Sequence, residues 1–260
     1  MQPLRRKQSM TNDAWIEVVN NIGSIISKAE LDQAVAGILA EIQKTAKGKK
    51  TAFSWSAGKD SIVLSHLCEQ AGIKDCVIAV CNLEYPAFLS WIMENKPEAC
   101  EVINTGQDMA WLSKHPDMVF PQDNTRWARW FSIVQHRAQT QYFKKHNLDM
   151  LLLGRRRADG NYVGGPTATY TNGKGVTYYS PMAAWKHEYV LAYIFYHKLP
   201  LPPIYDWKNG YLCGTHPWPA RQWTGSIENG WREVYDIDRS IVENAAEHID
   251  SARSFMEGLR

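Results

Sequence analysis

The stretch Phe53-Ser54-Trp55-Ser56-Ala57-Gly58-Lys59-Asp60-Ser61, followed by Ile62, Val63, Leu64 and Leu67, decides how this chain is read. A strand-like run enters a turn of small residues, and the turn opens a helix whose first backbone N–H groups have no partner within the helix. Such a terminus suits an anion, because the free N–H groups and the helix dipole both favour negative charge. Small residues at Ser56, Ala57 and Gly58 let the backbone approach a phosphate closely, while Ser54, Ser56 and Ser61 offer hydroxyls and Lys59 a charge. The stretch is not a GxxxxGK[ST] loop, since Phe53 stands at the first glycine and Asp60 at the Ser or Thr. The plainer alternative is an ordinary strand-to-helix turn with a solvated Lys59.

Outward from this loop, further apolar runs follow at Cys76 to Asn82, Cys100 to Asn104 and Met150 to Gly154, separated by helical segments. Short apolar runs alternating with helices predict an α/β fold: a doubly wound, mostly parallel sheet of about five strands flanked by helices. A capping box at Ser27 to Glu30, then Leu31, Val35, Ile38, Leu39 and Ile42, predicts an N-terminal helix that stops at Lys47-Gly48. Thr125 to His146 reads as one long amphipathic helix with Trp127, Trp130, Phe131, Val134, Ala138 and Tyr142 on one stripe. Asn172-Gly173-Lys174-Gly175 joins two strand-like runs, Thr167 to Thr171 and Val176 to Ser180, into a hairpin expected to project over the sheet edge. A helix over Lys186 to Lys198 ends before Leu199-Pro200, and a last helix is expected over Trp231 to Met256. The organisation expected is an N-terminal helical extension over 1–48, a nucleotide-binding core over 49–212 and a tryptophan-rich C-terminal extension over 213–260.

The 260 residues carry 29 Lys or Arg against 27 Asp or Glu, a balance that disfavours binding nucleic acid by bulk charge. Locally the balance differs: between Asn124 and Ala158, Arg126, Arg129, Arg137, Lys144, Lys145, Arg155, Arg156 and Arg157 face one acid, Asp149. The cysteines, Cys68, Cys76, Cys81, Cys100 and Cys213, are odd in number and form no CxxC pair, which disfavours a disulfide scaffold and a zinc ribbon and points to a reducing, cytoplasmic setting. No apolar stretch is long enough to span a bilayer, and Arg5-Arg6-Lys7 leads into polar Gln8-Ser9 rather than a signal-peptide core. Trp207, Trp218, Trp223 and Trp231 gather late in the chain; packing is the favoured role, with a protein interface or stacking on nucleic-acid bases as the alternatives.

The loop resembles the SGGKDS pyrophosphate loop of N-type ATP pyrophosphatases, and more closely that of the phosphoadenosine phosphosulfate (PAPS) reductase family. Leu83-Glu84-Tyr85-Pro86 resembles that family's GxEFPET stretch, and Leu152-Leu153-Gly154-Arg155-Arg156-Arg157 its strand ending in GxRR. The segment from Ser180-Pro181-Met182-Ala183-Ala184-Trp185 through Tyr193-Ile194, Leu199-Pro200 and Ile204-Tyr205-Asp206 to Gly210-Tyr211 resembles its most specific motif, in order and approximate spacing. The resemblance implies adenine nucleotide, ATP or a PAPS-like compound, across the carboxyl ends of the first, second and fourth strands. It implies phosphate binding by Ser54, Ser56, Ala57, Gly58, Lys59, Ser61, Arg156 and Arg157, with Lys59 and Asp60 catalytic and Asp60, with Glu84, placing Mg²⁺.

The departures from the family pattern bear on the chemistry. The nucleophilic cysteine of the ECGxH motif has no counterpart in Ser254-Phe255-Met256-Glu257-Gly258-Leu259-Arg260. Ala128, Thr215 and Trp218 stand where Fe–S ligands would be, so no cluster is expected. Ala57 replaces the first loop glycine, which is tolerable if its φ stays negative. The reading is therefore Mg²⁺-dependent cleavage of ATP or a related adenylyl compound at the α-phosphate, with adenylyl or sulfur-group transfer to an unknown acceptor. The alternatives are a nucleotide-binding accessory subunit that meets a protein partner through its tryptophan-rich end, and thioredoxin-dependent reduction of PAPS to sulfite. A homo-oligomer is open.

Overall fold

The computed structural model describes residues 10–222 and 224–259, so Arg5 to Ser9 and Trp223 lie outside the described residues. Along the chain come α1 (Asn12–Asn20), α2 (Ile22–Ile25), α3 (Lys28–Ala46), β1 (Thr51–Ser54), α4 (Lys59–Gln70), β2 (Cys76–Val80), α5 (Pro86–Asn95) and β3 (Cys100–Asn104). They are followed by α6 (Met109–Ser113), α7 (Asn124–Phe131), α8 (Arg137–Lys145), β4 (Met150–Leu152), β5 (Thr169–Thr171), β6 (Thr177–Tyr179) and α9 (His187–His197). The chain ends with α10 (Gly210–Cys213), α11 (Ile227–Ile237), α12 (Arg239–His248) and α13 (Asp250–Glu257).

The strands form one mixed sheet in the order β3-β2-β1-β4-β6-β5. β1 runs parallel to β2 and β4, in register Phe53 with Cys76 and Ala52 with Leu151, and β4 runs parallel to β6. The apolar runs explain this: Ala52, Phe53, Val77, Ile78, Leu151 and Leu152 are all buried, as strands covered on both faces must be. Five expected strands become six because the hairpin enters the sheet. It does not project over the edge: Tyr178 and Tyr179 are buried, β6 pairs with β4, and β5 lies antiparallel to β6 at the outside.

Two helical expectations are corrected. The C-terminal helix is three helices. Asp238 breaks it in extended backbone (φ −152°, ψ 98°), and its carboxylate accepts from the Ser240 N–H at 3.0 Å, capping α12; extended Ile249 (φ −129°) separates α12 from α13. The helix expected over Thr125 to His146 is continuous but carries a π turn at Ser132–His136 between α7 and α8. The capping box holds as expected, with Ser27 Oγ accepting from the Glu30 N–H at 3.2 Å.

The chain forms two compact units. The first takes the described residues up to Ile78, Lys96–Glu101 and Gln139–Pro202; the second takes Ala79–Asn95, Val102–Ala138 and Pro203 onward. In the first, helices α1 to α4 and α9 belong with β1, β4, β5 and β6. In the second, the core is aromatic: Trp218 and Trp231 are buried, Phe120 meets Trp231 edge to face at 4.8 Å, and Gly230 is required because a Cβ there would lie 2.4 Å from the Phe120 ring.

Candidate phosphate-binding site

β1 ends at Ser54, and buried Trp55 continues its ladder by donating to the Val77 carbonyl at 2.9 Å. The chain then turns at Ala57, whose φ is +56°. The expected negative φ is not found: the loop keeps the left-handed turn that a glycine would make freely, and the alanine holds it under strain of about 1–2 kcal/mol. Ser61 braces the turn, accepting from the Ser56 N–H at 3.0 Å and donating to the Gly58 carbonyl at 2.9 Å, while Ser56 Oγ lies 3.2 Å from Ser61 Oγ. Gly58 is the N-cap of α4 and supplies no side-chain cap, so the first N–H groups of the helix precede its first internal bond, Ile62 N–H to Gly58 O at 2.9 Å.

The segment leaving β4 passes directly over this turn. A Cβ on Gly154 would lie 3.0 Å from the carbonyl of Asp60 and 3.2 Å from the Ser61 nitrogen, tighter than side chains ordinarily pack, so the glycine allows the close approach of the two backbones. Next in sequence, Arg156 is fully buried. Its Nε donates to Asp60 Oδ1 at 2.8 Å, its Nη2 lies 2.6 Å from the same oxygen, and Nη2 also reaches Asp159 at 3.1 Å and His187 Nδ1 at 3.1 Å. His187 Nδ1 also lies 3.6 Å from Asp159 Oδ1, so the imidazole sits among both members of the pair. Lys59, 4% exposed, pairs with Asp60 Oδ2 at 2.6 Å and lies 5.2 Å from the ring centre of Trp15, which in turn meets the His187 ring edge to face at 4.6 Å. Two cations and two carboxylates thus close on one another beneath the loop.

The structure brings Ser56, Ala57, Gly58, Lys59, Asp60, Ser61 and Arg156 together, but with Lys59 and Arg156 turned onto Asp60. Ser54 accepts from Gln139 Nε2 at 3.0 Å. Arg157 is exposed; its backbone N–H donates to Ala183 and its Nη2 to the Gly165 carbonyl. Both Asp60 oxygens are engaged by cations, and no group of three His, Cys, Asp or Glu able to hold a metal ion occurs among the described residues. Mg²⁺ takes most of its ligands from water and substrate phosphates, and in this arrangement the Asp60 carboxylate faces Lys59 and Arg156. Glu84, in the second unit, has Oε1 near the Cys81 N–H and a buried Oε2 without a hydrogen-bond partner; burial pushes its carboxyl up to about 8.

Asp159, His187, Trp15 and Gln139 were not singled out by sequence. Asp159 has a signal in its i,i+3 spacing from Arg156, and His187 in its place just after the Trp185 motif; Trp15 and Gln139 have none. The basic window over 124–158 is also less bare than its sequence. Arg126 pairs with Asp123 and Asp117, Lys145 with Glu101 at 2.9 Å, and Arg156 with Asp60 and Asp159. All five cysteines are unpaired in disulfides and buried, and burial pushes the Cys68 and Cys81 thiols up.

The profile of the phosphoadenosine phosphosulfate reductase domain matches residues 50–214. Among solved structures, a phosphoadenylyl-sulfate (PAPS) reductase from Candida auris in a phosphate complex superposes with a TM-score of 0.50 at 13% identity, over 70% of this chain and 92% of that one. The U34-tRNA thiolase NcsA from Methanococcus maripaludis, solved with its [4Fe-4S] cluster, gives 0.46 at 16% identity, over 86% and 76%. An NMN synthetase from Francisella tularensis gives 0.44 at 17%, over 67% and 72%. No curated protein matches. At 13% identity, the likeness to the first of these structures is one of fold.

Proposed function

This chain belongs to the phosphoadenosine phosphosulfate reductase domain family, and on that premise we propose that it binds an adenine nucleotide with its phosphates on the first turn of α4 and acts at the α-phosphate. The observation that carries this reading is the uncapped N-terminus of α4 at Gly58, at the carboxyl end of β1, where an open α/β sheet takes its ligands. Backbone N–H groups of the turn donate to phosphate oxygens, with Ser56 beside them and exposed Arg157 available to a distal anion. In the reaction, a nucleophile of the acceptor bonds to the α-phosphorus as the bond to the bridging oxygen breaks, its electron pair leaving with pyrophosphate when the nucleotide is ATP. Fixed N–H donors stabilise the charge that develops on that leaving group. Lys59 and Arg156 act as positioning residues: by clamping Asp60 they hold the first turn of α4 in place. No step depends on a protein-held metal ion.

A second reading, binding without turnover, takes Lys59 as a structural cation, buried against Asp60 and Trp15. Sulfite formation by a relocated thiol is the least favoured, because it needs an accessible thiolate and Cys213 is buried. No helix among the described residues is long and apolar enough to cross a membrane.

The test is to incubate the full chain with labelled ATP or PAPS in Mg²⁺ buffer, with and without thioredoxin, while measuring binding by calorimetry. Binding together with AMP release, both lost in Gly154→Val, supports the first reading. Binding without AMP selects the second, sulfite that vanishes in Cys213→Ser restores the third, and failure to bind any adenine nucleotide removes the first two.

A further inference from the structure

The segment that leaves Arg157 carries a feature the phosphate site does not use. Tyr178 on β6 is buried; Tyr170, its cross-strand partner on β5, lies tilted against it at 5.2 Å; and Tyr162, from the preceding loop, meets Tyr170 edge to face at 4.9 Å with 67% of its surface exposed. The three rings form a ladder from core to solvent, with Tyr162 as its outer rung. Its placement is built in. Gly164 (φ +85°) brings the loop so close to β5 that a Cβ would lie 2.5 Å from the Thr169 carbonyl, and the Arg157 side chain staples the same loop at Gly165. Beside the ladder, Arg155 Nη1 donates to the Tyr170 hydroxyl at 2.8 Å. The charge is of one sign: from Gly160 to His187 there is no Asp or Glu, while Lys174 sits at the hairpin tip and Lys186 near its end.

We propose that the Tyr162–Tyr170–Tyr178 ladder, with Arg155, Arg157 and Lys174, is a docking surface for a single-stranded nucleic acid. An exposed, pre-oriented aromatic face suits an unpaired base, which stacks without regard to its identity. Guanidinium groups on the same segment suit the backbone phosphates, and residues 160–187 contribute no acid of their own to repel them. A duplex keeps its bases stacked internally and cannot use the Tyr162 face. The surface shares only Arg157 with the nucleotide reading, and its tests at Tyr162 and Arg155 leave the turn between β1 and α4 untouched.

The experiment is fluorescence anisotropy of the full-length protein with labelled single-stranded DNA, single-stranded RNA and duplex of one sequence, titrated at several salt concentrations. The expected result is binding of at least one single strand in preference to the duplex. Tyr162→Ala should weaken it about tenfold, the size of one lost base–aromatic stack, and Tyr162→Phe should retain it. Arg155→Gln should lower the slope of log affinity against log salt by about 0.7, one phosphate contact to a single strand. Circular dichroism and nucleotide binding should be unchanged in Tyr162→Ala, since that ring is exposed. No single-strand binding, equal binding of duplex, or affinity indifferent to Tyr162→Ala would each overturn the proposal; preference for RNA over DNA, or the reverse, identifies the polymer.

Discussion

Each unit buries an arginine on a carboxylate, and the surroundings differ. In the first, Arg156 holds Asp60 on the opening turn of a helix whose N-terminus is uncapped and flanked by small residues. In the second, Arg221, 4% exposed, pairs with Glu233 at 2.7 Å, bonds the Lys208 carbonyl at 3.2 Å, and sits by Tyr85, which meets Trp207 at 4.8 Å. The same pair thus serves different ends. Beside the small-residue turn it fixes the opening of α4, where the proposed anion site lies, whereas among aromatic rings it joins α11 to the segments around it. A buried ion pair therefore says little about function until the backbone beside it is inspected.

Breaking the two pairs should separate those ends. Arg156→Ala leaves Asp60 and Asp159 without their guanidinium and should lose about 3–5 kcal/mol of stability, together with nucleotide binding. Arg221→Ala should lose a similar amount, yet its folded fraction should bind nucleotide as before; urea denaturation with calorimetry on each variant checks both halves. Loss of nucleotide affinity in both variants alike would erase the distinction.

The next largest effect concerns pH. Glu84 is raised from 4.5 to about 8, so the folded protein binds more protons than the unfolded chain between those values. Stability from this group is fully present below pH 4.5 and is lost as pH rises through about 8, at up to about 1.4 kcal/mol per unit. Glu84→Gln should flatten that decline and raise the melting temperature at pH 8, as read by thermal melts across the range. The smallest effect is local. Ala57→Gly relieves a left-handed alanine but loosens the unfolded chain, for a net gain of about 0.5–1 kcal/mol.

The fold was largely legible because each core strand announces itself as a short apolar run, and burial on both faces imposes that pattern whatever the neighbours are. The loop was legible for a similar reason: Ser56 to Gly58 must be small to make the tight turn from β1 into α4. The hairpin misled because the sequence of β6 shows that Tyr178 and Tyr179 are strand-forming but not that β4 is their neighbour. The C-terminal helices misled because Asp238 reads equally as a helical surface residue and as a cap.

By itself, then, the sequence determined the α/β class, the family, and the position of the small-residue turn between β1 and α4, since these rest on local periodicity and ordered motifs. Only the tertiary structure decided what the charges do. Lys59 and Arg156 look like free phosphate ligands in one dimension, and although Asp60 and Asp159 stand close by in sequence, the meeting of Arg156 with Asp60 and the approach of His187 and Trp15 come from separate segments. Coulomb attraction acts on distance in space, and the residues within about 4 Å of a buried cation are chosen by packing rather than by neighbours in the chain.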